Sequence, residues 1–149
     1  MDLERLIRRE RLASMGINAV LSAAFFLGVF GTEVRPLAFA APDNLARDFL
    51  PQGGVIALMA TLVPALLVRR SLGGSGRSVP TTRQILGQAV ISIAGGLAVS
   101  ALLMLACFYG PGDGMGWTSA FAMKVVFGGL LGSLVTDRSL RRLYRVETA

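Results

Sequence analysis

Four stretches of this chain carry no charge, or only one, over the length a helix needs to cross a bilayer. They are Leu12–Thr32, Phe49–Val68, Gln84–Gly112 and Gly114–Thr136, the last interrupted by Lys124. About 20 apolar residues span roughly 30 Å of hydrocarbon. The reading is an all-α integral membrane protein with four transmembrane helices and both termini cytoplasmic. It forms a single membrane domain over 1–149, with spans at about 13–31, 51–69, 85–109 and 116–136. Residues 1–12 read as an interfacial amphipathic helix that runs into the first span, with Leu3, Leu6 and Ile7 on one face, and 137–149 as a basic cytoplasmic tail.

Composition agrees with this reading. Hydrophobic residues make up 53% and charged residues 16%, against about 25% charged in a soluble domain. A net charge of +6 would suggest nucleic acid until the charges are located. Arg5, Arg8, Arg9 and Arg11 precede the first span. Arg69, Arg70, Arg77 and Arg83 lie between the second and third, and Arg138, Arg141, Arg142 and Arg145 follow the fourth. The other two loops hold only Arg35 and Arg47, beside Glu33, Asp43, Asp48 and Asp113. This is the positive-inside pattern. It predicts a multi-pass protein of a bacterial inner membrane, its cytoplasmic arginines meeting anionic lipid headgroups, with no nucleic-acid partner.

Chemistry is narrowed by what is missing. There is no histidine and one cysteine, Cys107. That argues against a metal site, an intrachain disulfide and any histidine-based mechanism. No cofactor is expected, and an enzyme would have to rely on Lys124 or a serine. The first span lacks the glutamate on which small multidrug exporters depend, and the paired cysteines of disulfide-forming membrane enzymes are absent. "PLAFAAPD" resembles a signal-peptide cleavage site ending at Ala40. The expectation is an uncleaved first span. Asp43 in "PDNLARDFL" is expected to cap a short helix in the long first loop.

Polar residues recur every fourth position. Ser14, Asn18 and Ser22 do so in the first helix, and Gln84, Gln88, Ser92, Gly96 and Ser100 in the third. Such spacing holds side chains on one face. An amide in hydrocarbon needs a partner, so the two stripes are expected to face each other or a polar cavity. They would serve either as interhelical glue at about 0.6 kcal/mol per contact or as a half-channel. Asn18–Val29 also aligns with Gln88–Val99, which suggests a parallel two-helix repeat. Gly95 and Gly96, and Gly128 and Gly132 in "GGLLGS", are the candidate close-packing positions, the last pair for self-association. Pro64 should break the second helix and free a carbonyl near Ala60, as a simple kink or, alternatively, a hinge.

Lys124 has two readings. One makes it a fixed charge on a solute path, the other a snorkelling lysine that meets lipid phosphate or the outer-loop acids. The functional expectation is a homo-oligomer that forms or gates a path for a small anionic or polar solute, with Lys124, Asn18, Gln88, Ser22 and Ser92 lining it. The alternative is a non-catalytic accessory or assembly subunit of a larger membrane complex.

Overall fold

The computed structural model describes residues 3–74, 76 and 78–145, the last without its side chain. Arg77 of the basic loop and tail residues 146–149 lie outside the described residues. Four helices form: α1 (Leu3–Phe30), α2 (Phe49–Leu72), α3 (Thr82–Tyr109) and α4 (Trp117–Arg145). Each is long and apolar enough to cross a membrane. A short antiparallel ribbon joins β1 (Pro36–Ala38) to β2 (Gly114–Gly116), with Leu37 opposite Met115.

Helix ends follow local chemistry. At α1, Gly31 takes a φ of +73° and its N–H reaches Leu27 O at 3.0 Å, the left-handed stop that glycine adopts at least cost. At α3, Thr81 and Gln84 form a reciprocal capping box. Gln84 is therefore a surface capping residue and not the first member of the buried stripe, as its spacing had suggested. The segment expected to be a short helix capped by Asp43 is a series of turns. The Asp43 carboxylate instead accepts two bonds from Arg35, the shorter 2.6 Å, and one from Ala38 N at 2.9 Å. The guanidinium and that N–H hold the Asp43 carboxyl below the usual carboxylate range.

The bundle is inside-out relative to a soluble protein. Its outer surface is aliphatic: Val20, Leu66, Val90, Leu102 and Val126 are all more than half exposed or close to it. Its middle is polar, with Ser14, Asn18, Ser22, Thr61, Ser92, Lys124, Thr136 and Ser139 buried. Lipid accepts apolar surface without penalty, whereas intramembrane polar groups need one another. Apolar clusters close both ends. At one, Leu6 and Ile7 pack with Val68, Ile85, Leu140 and Tyr144. At the other, Phe26 and Phe30 pack with Leu37, Leu45 and Ala120. Residues 3–12 run without a break into the first span. They are the first turns of α1, and they bury Leu6 and Ile7 against the end of α4. Expected tail residues 137–145 continue α4.

Helix α1 packs on α4 and α2 on α3, while α2 and α4 meet across the centre. Among the described residues α1 and α3 make no substantial contact, so the Asn18 and Gln88 stripes do not face each other. Each meets a small-residue face instead. A Cβ at Gly128 would fall on Ser22 and lie 3.0 Å from Asn18 O. A Cβ at Gly53 would fall on Ser100 and lie 2.9 Å from Gly96 O. The two pairs are built alike, and the buried Ile7, Glu10, Ser14, Asn18 and Ser22 of α1 recur at identical spacing as Ile85, Gln88, Ser92, Gly96 and Ser100 of α3. In this pattern of burial Ser22 corresponds to Ser100, about two helical turns from Ser92, its counterpart in the sequence alignment.

Candidate functional site

Lys124 lies on the inward face of α4 and is 1% exposed. Its ammonium donates to Asp48 Oδ2 at 2.8 Å and sits 3.9 Å from the Phe49 ring centroid. Phe127 presses edge-on against that ring, centroids 5.3 Å apart. The cation thus has a carboxylate and a π face, and no lipid contact. A desolvated cation–π contact is worth about 2 kcal/mol. Of the expected destinations, the structure selects an outer-loop acid, reached through protein.

Asp48 can serve because of where α2 begins. It occupies the residue before Phe49, yet its carboxylate makes no capping bond to its own helix. Its charge still profits from the α2 N-terminus, while its oxygen is given to Lys124. Beneath the pair, Gln52 Nε2 donates to Lys124 O at 3.2 Å and to Ser22 Oγ at 3.0 Å. Gln52 therefore ties α1, α2 and α4 at one level. Neither Asp48 nor Gln52 was singled out from sequence. Asp48 was legible as the last acid before the second span, but its pairing depends on two helices far apart in the chain.

A second cluster surrounds Pro64. Proline has no N–H for Ala60 O. Thr136 Oγ1 lies 2.8 Å from that carbonyl and 2.8 Å from Ser14 Oγ. A carbonyl can only accept, so the single Thr136 proton goes to Ala60 O, and Ser14 supplies the bond between the hydroxyls. Asn18 Nδ2 donates in turn to Ser14 Oγ at 3.1 Å and Ser14 O at 2.8 Å. The expected freed carbonyl is present, but it is clamped by a neighbouring helix, and α2 runs unbroken through Pro64. Thr61, Ser139 and Ser92 continue the belt, with Oγ–Oγ separations of 3.1 Å.

This clamp makes a prediction. Thr136→Val should cost about 0.6–1.7 kcal/mol by leaving Ala60 O unpaired. In a Pro64→Ala background the restored N–H serves that carbonyl, and the same change should cost much less. Thermal unfolding in detergent checks the cycle, and equal costs in both backgrounds would sink the assignment.

The other predicted residues are distributed as follows. Asn18, Ser22 and Gln52 border a hollow of about 100 Å³ between α1 and α2. Gln88 and Ser92 lie in a separate groove between α3 and α4. Gly128 and Gly132 are spent against α1 within one chain: a Cβ at Gly132 would be 2.5 Å from Asn18 Nδ2. They are not left for self-association as expected. Gly96 packs on α2, its added Cβ meeting Gly53 O at 2.7 Å, but Gly95 faces open space and is not a packing glycine. Cys107 is partly buried and packs beside the outer aromatic cluster. Among the described residues no group of His, Cys, Asp and Glu could hold a metal ion.

The fold and the site define a class, a four-helix membrane bundle with an internal polar belt and a buried Lys124–Asp48 ion pair. No family model matches the chain, and no curated protein or solved structure matches it significantly.

Proposed function

We propose that this chain is a non-catalytic accessory or assembly subunit of a larger complex in a bacterial inner membrane, both termini cytoplasmic. One observation carries this reading: Lys124, the single charge expected inside a span, is consumed by Asp48 and Phe49 within the chain. A cation that serves a solute must be reachable, and this one is not. The hydroxyls at Ser14, Thr61, Ser92, Thr136 and Ser139 are likewise paired with one another or with backbone. The likeness of the α1·α4 and α3·α2 pairs supports an internal duplication of a two-helix unit.

The rival reading is an oligomeric path for a small anionic or polar solute. In its favour stands the hollow beside Asn18, Ser22 and Gln52, where the buried Gln52 Oε1 has no partner. Two measurements separate them. The protein extracted in mild detergent should migrate as a defined complex with a different chain. Purified alone in liposomes, it should pass anions no faster than protein-free vesicles. A pure homo-oligomer with anion flux that falls in Lys124→Met would overturn the accessory reading.

A further inference from the structure

The groove between α3 and α4 combines an apolar trough with two cations at one end that have no ion-pair partner among the described residues. Its walls include Ile91 and Val99 from α3 and Leu131 and Leu134 from α4, and its volume is about 240 Å³. At its terminal end stand Arg138 and Arg142, four residues apart on one face of α4. Both are exposed, and among the described residues neither has an ion-pair partner. By contrast Arg141, between them, is held by Glu4 at 2.8 Å and Asp137 at 3.0 Å. The polar ends of Gln88 and Ser92 border the same mouth.

Depth is the second argument. From Gln88 to Val99, and from Arg142 back to Leu131, each wall runs about 16 Å at 1.5 Å per residue. That is one leaflet of a hydrocarbon core roughly 30 Å thick. The trough is therefore as deep as one acyl chain is long, and its cations sit where that lipid's phosphate would be. Gly95 lines it and would carry a Cβ into empty space. It leaves a hollow where a side chain would otherwise stand.

We infer that the α3/α4 groove seats one anionic phospholipid of the leaflet at the arginine-rich end, an acyl chain along Gly95 and the phosphate held by Arg138 and Arg142. A free phosphate gains nothing from the trough, and a zwitterionic lipid brings a cation that the two guanidinium groups repel. The seat is independent of the accessory-subunit reading, because it needs only the bundle and a bilayer.

The test uses the full chain in detergent, titrated with phosphatidylglycerol or phosphatidylcholine and read by native mass spectrometry. Wild type should retain one phosphatidylglycerol with at least about a tenfold preference, since each guanidinium near an anionic headgroup is worth about 1 kcal/mol. Arg138→Gln/Arg142→Gln should lose that preference, and Arg138→Lys/Arg142→Lys should keep most of it. Gly95→Phe fills the trough without touching the arginines and should lower retention of the diacyl lipid at least fivefold. Arg5→Gln/Arg8→Gln should change nothing. Circular dichroism confirms that each variant stays helical. Equal losses from the two arginine pairs would mean diffuse attraction and overturn the seat. So would unchanged retention in Gly95→Phe, or equal binding of glycerol phosphate without acyl chains.

Discussion

Asp48→Asn should destabilise the bundle by about 3 kcal/mol or more, because it strands a buried ammonium. Lys124 is 1% exposed and Asp48 side chain is 16% exposed, so the two members of the pair are not equivalent. Lys124→Met leaves a carboxylate that water can still reach in part, and it should cost less. The double variant should lie within about 1 kcal/mol of wild type, since replacing a buried pair by apolar or neutral groups is often close to neutral. Lys124→Arg keeps the charge but brings a planar, wider head over Phe49, and it should fall between. Thermal unfolding of wild type, Asp48→Asn, Lys124→Met and their double variant in one detergent gives the coupling. Additive single effects would show that the 2.8 Å contact carries no coupling energy. The result bears on function, because a lysine committed to Asp48 for stability is a poor candidate for binding a passing solute.

The second large effect lies at the glycine contacts. Gly128→Leu should abolish the α1·α4 pairing, whereas Gly95→Leu should leave the fold intact. At Gly128 even the first added carbon collides with Ser22, 2.8 Å from its Cβ. Overpacking costs about 1–3 kcal/mol where neighbours can shift, and here one obstacle is Asn18 backbone. Gly53→Leu should act alike on α2·α3 through Ser100. The readout is a cysteine pair at Ala19 and Gly129, in a Cys107→Ser background. An ideal Cβ at Gly129 lies 3.5 Å from Ala19 Cβ, within the range for a disulfide. The crosslink should form in the otherwise unchanged chain and in Gly95→Leu, and it should vanish in Gly128→Leu. If it persists there, α1 and α4 do not rely on this contact. A change of native mass with the crosslink intact would return these glycines to self-association.

Much of the architecture was readable along the chain because the bilayer imposes it. A span needs a long apolar run, and each of the four windows with no charge or only one forms most of the apolar part of one helix. Stripes at every fourth residue marked the buried faces of α1 and α3 correctly, since spacing on one helix is a local property. The Ala60 carbonyl was legible too, because the missing N–H of Pro64 acts four residues away in the same helix.

Other features had no local signal. The sequence shows that Gly128 permits close approach, but not whether the neighbour is α1 or a second copy. Local similarity aligns Asn18–Val29 with Gln88–Val99, whereas the buried positions of α1 and α3 share their spacing at a different offset, because alanine-rich segments match at several offsets. The ribbon between Pro36–Ala38 and Gly114–Gly116 joins segments too short and too far apart for periodicity to reveal.

By itself, then, the sequence determined what had to be buried in lipid and which helix faces had to find partners, because hydrocarbon penalises unpaired polar groups wherever they stand. Only the tertiary structure decided which partners they found. Lys124 and Asp48 are separated by the whole of α2 and α3, two loops and the first two turns of α4, and their ion pair arises from the lateral packing of α4 against the start of α2. The flanking helix pairs close in the same way on distant shapes, Gly128 and Gly132 against α1 and Gly53 against Gly96 between α2 and α3, and shape complementarity between distant segments leaves no pattern along a single chain.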